Sequence, residues 1–113
     1  MSLTIKVETQ PTITVVRLTG ELTAPSHGVL TGSLKPLLEG GQPRVILDVT
    51  AVSFITSVGL GELVRVVAQA NSVGGRVVLA GPTPFVADVL ETTKLDKFFE
   101  ICESVDAALH RLG

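Results

Sequence analysis

Thr56, Ser57, Gly59 and Gly61 stand together in FITSVGLGEL (54–63), where an apolar run ends and an amphipathic pattern begins. Two hydroxyls and two residues without side chains at a helix start suit three kinds of chemistry. The first is nucleotide binding, in which glycines let backbone N–H groups approach a phosphate. Gly59-Leu60-Gly61 supplies two glycines of GxGxxG, but position 64 is valine and no GxxxxGK[ST] run occurs, so the nucleotide signal is weak. The second is nucleophilic catalysis by Ser57, which needs a base held against the hydroxyl. His27 falls at a helix start and His110 in a charged last turn, where an imidazole sits favourably beside the helix dipole. Neither histidine marks a base for Ser57, and their separation is not that of a metal pair.

The third is covalent modification of Ser57. Against it stands a plain alternative: Ser57 as helix N-cap, a role that contributes on the order of 1 kcal/mol. Glycines at 59 and 61 weaken that alternative, since each costs about 1 kcal/mol relative to alanine in a helix. Their bareness would instead open the backbone and the Ser57 hydroxyl to another molecule. A helix N-terminus also accommodates negative charge, so a phosphate there need not unfold the domain.

These residues need a scaffold, and the hydropathy pattern supplies one. LTIKVET (3–9) alternates like a half-buried strand, and Gln10-Pro11 marks a turn into TITVVRLTG (12–20). The two form an antiparallel hairpin. GELTAPS breaks the strand pattern, and Pro25 and Ser26 open a helix over 25–38 whose inward face includes Val29, Leu30, Leu34, Leu37 and Leu38. Gly40-Gly41 ends it. RVILDVT (44–50) reads as a central strand buried on both faces, followed by a loop, AVSFIT. A helix over 57–71 then carries Leu60, Leu63, Val64, Val67 and Ala68 on one side. RVVLAG (76–81) is another buried strand, VADVLETT a short helix behind Pro82 and Pro84, and 98–102 a short strand. SVDAALHRL is a last helix with Ser104 as its cap. The order β-β-α-β-α-β-α-β-α predicts an α/β fold. Its mixed sheet opens with an N-terminal hairpin and carries about four helices, all in a single domain spanning 1–113.

Composition narrows the function. The chain has 113 residues with four Phe, no Trp and no Tyr, and a formal charge of 9 − 11 = −2. With no basic stripe and few rings to stack on bases, nucleic acid is not an expected partner. MSLTIKVETQ lacks the regions of a signal peptide, and no apolar run approaches the ~18 residues of a membrane span, so a cytoplasmic protein without membrane insertion is expected. The single cysteine, Cys102 in FFEIC, reads as a buried, inert thiol. Glu39, Glu91, Asp96 and Glu103 read as solvated faces, and no metal or cofactor is implied.

DVTAVSFITSVGLGEL (48–63) resembles the central motif of STAS domains, the family of bacterial anti-sigma factor antagonists and sulfate-transporter tails. Asp48, Val49, Thr50, Val52, Phe54, Ile55, Ser57, Gly59 and Leu60 match its pattern. GEL at 20–22 looks like the family's turn after strand two, and KLDKFFEI (94–101) like its closing segment. The resemblance implies a non-enzymatic regulator in which Ser57 is phosphorylated by a partner kinase that is also an anti-sigma factor. Thr56 is the weaker acceptor candidate. Thr23, Thr56, Ser57, Val58, Gly59, Leu60 and Gly61 are the implied partner-binding residues.

The sequence departs from the family where acids are usual: Thr56 precedes the serine and Thr23 follows GEL. Val58 replaces a frequent hydroxyl, and Lys94 a frequent glycine. A partner reading carboxylates with Arg or Lys would bind this site weakly. The departures keep a second reading open, an unphosphorylated STAS subunit of a transport or stress-signalling assembly. A nucleotide-binding protein is a third reading, and exposed strand edges leave room for a weak homodimer.

Overall fold

The computed structural model describes residues 3–24, 28–39 and 41–112. The chain runs β1 (Leu3–Thr9), β2 (Thr14–Leu22), α1 (Val29–Leu38), β3 (Arg44–Ile55), α2 (Ser57–Ser72), β4 (Arg76–Ala80), α3 (Pro84–Thr92), β5 (Glu100–Cys102) and α4 (Val105–Leu112). This is the expected element order. The five strands form one sheet in the order β1-β2-β3-β4-β5. β1 is antiparallel to β2, and every later pair is parallel.

Each βαβ crossover steps the same way across the sheet, so handedness sends α1, α2 and α3 to one face. Leu30, Leu34 and Leu38 of α1, Leu63, Val66 and Val67 of α2, and Val86 and Leu90 of α3 form one core with Val16, Leu18, Val45, Leu47, Val77 and Leu79 of the sheet. α4 covers the other face, where Ala108 and Leu112 meet Ile13, Val15, Ile46, Val78 and the buried Cys102. Ser104 caps α4, its Oγ accepting from the Ala107 amide at 3.0 Å. Among the described residues no helix is long and apolar enough to cross a membrane.

α1 shows which force sets the fold. Its interior holds Gly32 and Pro36, costing about 1 and about 3 kcal/mol of helix propensity. Burial of Leu30, Leu34 and Leu38 returns about 1.5–3 kcal/mol each, so packing outweighs propensity. Val29, expected inward, is exposed, and Leu37 is half-buried. The described helix runs from Val29, and the expected opening residues Pro25, Ser26 and His27, with Gly40 at the other end, lie outside the described residues.

Two expected boundaries are wrong, for one reason. β3 does not stop at Thr50: AVSFI continues it to Ile55, and Gly20-Glu21-Leu22 ends β2 instead of breaking it. The parallel pairing shifts register twice, between Arg17 and Thr19 and between Gly20 and Glu21. These bulges disrupt the alternation that marks a strand. The first is fastened by Asp48, whose Oδ1 accepts from the Thr50 amide at 3.0 Å and the Thr50 hydroxyl at 2.7 Å. Asp48 Oδ2 takes the Arg17 guanidinium at 2.7 Å. Asp48-Val49-Thr50 is thus an Asx turn that satisfies the bulge. Gly20 accepts φ 117° at the second bulge, a backbone region that favours glycine.

α2 buries a wider stripe than expected. Gly59, Leu60, Glu62, Leu63, Val66, Val67 and Ala70 are buried, whereas Val64 is half-buried and Ala68 exposed. The stripe turns because α2 packs on α1 and on the end of β2 as well as on the sheet.

Candidate functional site

The C-terminal ends of β2 and β3 meet the first turn of α2, and Ser57 stands there as its first helical residue. Thr56 is the N-cap, with extended dihedrals and a side chain that accepts from the Gly59 amide at 3.5 Å. Its hydroxyl donates to the Leu22 carbonyl at 3.4 Å, and its own amide donates to the same oxygen at 3.0 Å. The capping role considered for Ser57 therefore belongs to Thr56, and the Ser57 side chain is exposed and outside the cap. Threonine at 56 does what the family's usual aspartate cannot. A carboxylate can accept from Gly59, but it has no proton to donate to Leu22.

The two glycines divide their roles. A Cβ on Gly59 would lie 2.2 Å from the Leu22 carbonyl oxygen, whereas one on Gly61 would meet nothing within 4 Å. Gly59 is thus a close-packing position between α2 and β2, not an opening for another molecule as expected. Gly61 alone leaves the surface bare. Of the expected partner-binding residues, Ser57, Val58 and Gly61 are exposed, Thr23 and Thr56 half-buried, and Gly59 and Leu60 buried beneath them. Thr23 follows Leu22 directly, so the Leu22–Thr56 hydrogen bonds bring both positions that depart from the family pattern to one end of the sheet.

Two residues not expected in the site join it. The second bulge turns Phe54 outward, and its ring stacks on Phe85 with centroids 5.0 Å apart. Phe54 is 40% exposed and Phe85 43%, and Val58, next to Ser57 in the chain, is 41% exposed. α3 is fixed there by Thr83, whose hydroxyl donates to the Val52 carbonyl at 3.1 Å and accepts from Val86 N at 3.3 Å. A groove of about 250 Å³ continues along α3 past Phe85, Asp88, Val89, Thr92 and Thr93. The sequence signal for the pair is Pro84 at a helix start, which puts Phe85 in the first turn of α3; nothing in the sequence marks the bulge that turns Phe54 outward.

The carboxyls of Glu8 and Glu100, both shifted in acidity, lie away from this site. The Arg17 guanidinium hydrogen-bonds Glu8 and holds its carboxyl below the ordinary range, and Arg76 does the same to Glu100. Glu8 pairs with Val15, roughly 20 Å along β2 from Leu22. Glu100 lies on the edge strand β5, opposite Val78 in the middle of β4. The described residues contain no cluster of three or more His, Cys, Asp or Glu able to hold a metal. The strand order never reverses, so these elements lack the switch-point crevice in which doubly wound folds bind nucleotides.

An exposed serine at the first turn of α2, on a hairpin-led sheet with three helices on one face, defines a class. Residues 4–108 match the family model of the STAS domain, and the chain belongs to that family. Its relatives include a candidate anti-sigma factor antagonist of Thermotoga neapolitana, homologous to TM1081 and 32% identical over 75 residues, 66% of each chain. BtrV of Bordetella bronchiseptica, also a candidate anti-sigma factor antagonist, is 30% identical over 104 residues, 85% of this chain and 90% of that one. Among solved structures, the phosphorylated form of the Bacillus cell-fate determinant SpoIIAA superposes with a TM-score of 0.75. It has 21% identity, with 97% of this chain and 100% of that one covered.

Proposed function

We propose that this protein is an anti-sigma factor antagonist-like regulator, without catalytic activity of its own. It binds a kinase that is also an anti-sigma factor, and phosphorylation at Ser57 ends that binding. The observation that carries this reading is the division of labour at the α2 start: Thr56 spends its hydroxyl on the cap and on Leu22, and Ser57 is left exposed. The names of the relatives and the phosphorylated state of SpoIIAA point the same way. Incubation with each candidate anti-sigma kinase of the same genome and ATP should add one phosphate, mapped by mass spectrometry to Ser57. Modification of Thr56 instead, or of neither residue, would sink the assignment.

The partner-facing surface is centred on Ser57, Val58 and Gly61, with Thr23 and Thr56 at its rim and Gly59 and Leu60 supporting it. Threonine at 23 and 56 makes it less acidic than the family pattern, and the Phe54–Phe85 stack makes it more apolar. Binding should therefore rest on apolar anchoring more than on charge. Phe54→Ser and Phe85→Ser are each expected to weaken binding of that kinase about tenfold or more, because partly exposed aromatics commonly anchor interfaces. Calorimetry checks this, and unchanged affinity in both variants would remove the rings from the interface. The same missing acids and exposed rings favour one alternative, an unphosphorylated subunit of a transport or stress-signalling assembly. A chain that no kinase modifies would fit that alternative.

A further inference from the structure

Glu62, in the second turn of α2, is 1% exposed although it is an acid. Its Oε2 accepts three hydrogen bonds, all from the start of α1: Gly28 N at 2.7 Å, Thr31 N at 3.1 Å and Thr31 Oγ1 at 2.8 Å. Its Oε1 is buried and has no hydrogen-bond partner among the described residues. Among the described residues α1 has no side-chain cap of its own. Gly28 stands at its N-cap with φ 87°, makes no side-chain capping bond, and is followed by no acid in the first turn. A carboxylate from the neighbouring helix fills that role, where the α1 dipole favours negative charge.

The other end of the same connection is also fastened to α2. Leu22, the last residue of β2, receives both the amide and the hydroxyl of Thr56 on its carbonyl, and Gly59 packs against its backbone. Leu22 and Gly28, on either side of the β2–α1 connection, are thus each fastened to the first two turns of the helix that presents Ser57. Position 62 lies in the apolar stripe of α2, beside Leu63 and Val66. An apolar side chain there would bury itself without the desolvation cost of a charge or the orphaned oxygen. A carboxylate is justified by what it holds.

We infer that Glu62 is a positioning residue: it locks the β2–α1 connection, with Thr23 in it, in register with Ser57. The partner then meets one preformed surface built from two segments distant in sequence. The structural half of this inference is independent of the proposed function, and the binding half rests on it.

The test uses the full chain with Glu62→Leu, which keeps an apolar fit but cannot accept a hydrogen bond, and Glu62→Gln, whose carboxamide oxygen still can. Thr31→Val attacks the clamp from α1 should the leucine variant not fold. NMR amide exchange at Gly28 and Thr31 should quicken about tenfold or more in Glu62→Leu, less in Thr31→Val, with β3 and β4 amides unchanged. Glu62→Gln should stay close to wild type. Affinity for the kinase should fall about tenfold in Glu62→Leu and recover in Glu62→Gln. Unchanged exchange at Gly28 and Thr31 would overturn the clamp. Faster exchange with undiminished binding would overturn its positioning role while leaving the proposed function standing. A wild-type chain bound by none of the kinases would remove that reading, and the binding half of this inference with it.

Discussion

Gly59→Ala is expected to destabilise the protein by at least about 2 kcal/mol, although alanine is the better helix former. The added Cβ would stand 2.2 Å from the Leu22 carbonyl oxygen, 2.6 Å from its carbonyl carbon and 2.7 Å from its Cβ. None of these atoms belongs to the free end of a flexible side chain. Leu22 is held from two sides, paired with Ile55 in the sheet and hydrogen-bonded to the Thr56 amide. Relief would require α2 to move away from β2 and lose its capping geometry together with the packing of Leu60 and Leu63. Overpacking of this kind costs about 1–3 kcal/mol or more, and a backbone obstacle puts it at the upper end. The helix-propensity gain of about 1 kcal/mol offsets only part of it.

Gly61→Ala is the matched control. Nothing lies within 4 Å of its Cβ position, so the propensity gain acts alone and should raise stability by about 0.5–1 kcal/mol. Urea unfolding of both variants reads the opposite signs directly, and in a domain of this size about 1 kcal/mol moves the midpoint of thermal unfolding by roughly 4–8 °C. If Gly59→Ala proves as stable as Gly61→Ala, the close approach of α2 to β2 is wrong.

This contrast also marks where the sequence was readable. The element order was legible because each strand and helix carries its own hydrophobic period, and Gly or Pro separates them. The bulges at 50 and 53 were not. They expose two neighbours in a row, Thr50-Ala51 and Ser53-Phe54, which in one dimension looks like a loop. Only the pairing with β2 and the Asp48–Thr50 hydrogen bonds identify it as strand. Phe54 joined the site for the same reason: its outward direction comes from the bulge and not from its residue type.

At the serine the helix starts where the sequence placed it, but the cap is Thr56 and not Ser57, a difference of one residue, within the usual uncertainty of a helix end, that decides the chemistry. Ser and Thr are both good caps, so adjacent hydroxyls cannot be ranked by propensity. The ranking comes from Leu22, a residue 34 positions away whose carbonyl the Thr56 hydroxyl reaches. Glu62 was hidden in a similar way. A glutamate in an amphipathic helix ordinarily faces solvent, and its burial follows from where α1 begins. Long-range partners set both residues' roles, and periodicity carries no information about them.

Phosphorylation of Ser57, on the proposed reading, is expected to lower affinity for the kinase/anti-sigma partner roughly a thousandfold while leaving the fold intact. The phosphoryl group brings about −1.5 to −2 charges to the first turn of α2. In the free protein that location is tolerant, since the helix dipole and first-turn N–H groups favour an anion. Thermal stability should accordingly change by no more than about 1 kcal/mol. In the complex the same charge would be pressed among Val58, Phe54 and Phe85, each 40–43% exposed in the free chain and available for burial. Stripping water from it without a prepared cation costs several kcal/mol, and ~4 kcal/mol corresponds to the thousandfold loss. Ser57→Asp, with less charge and a shorter reach, should give only about ten- to a hundredfold, and Ser57→Ala should bind as wild type does. Calorimetric titration of the four forms against one kinase separates a charge effect from a steric one. Equal binding by the phosphorylated and unmodified chains would leave Ser57 exposed but not a switch, and the assembly-subunit alternative would then account better for the rings beside it.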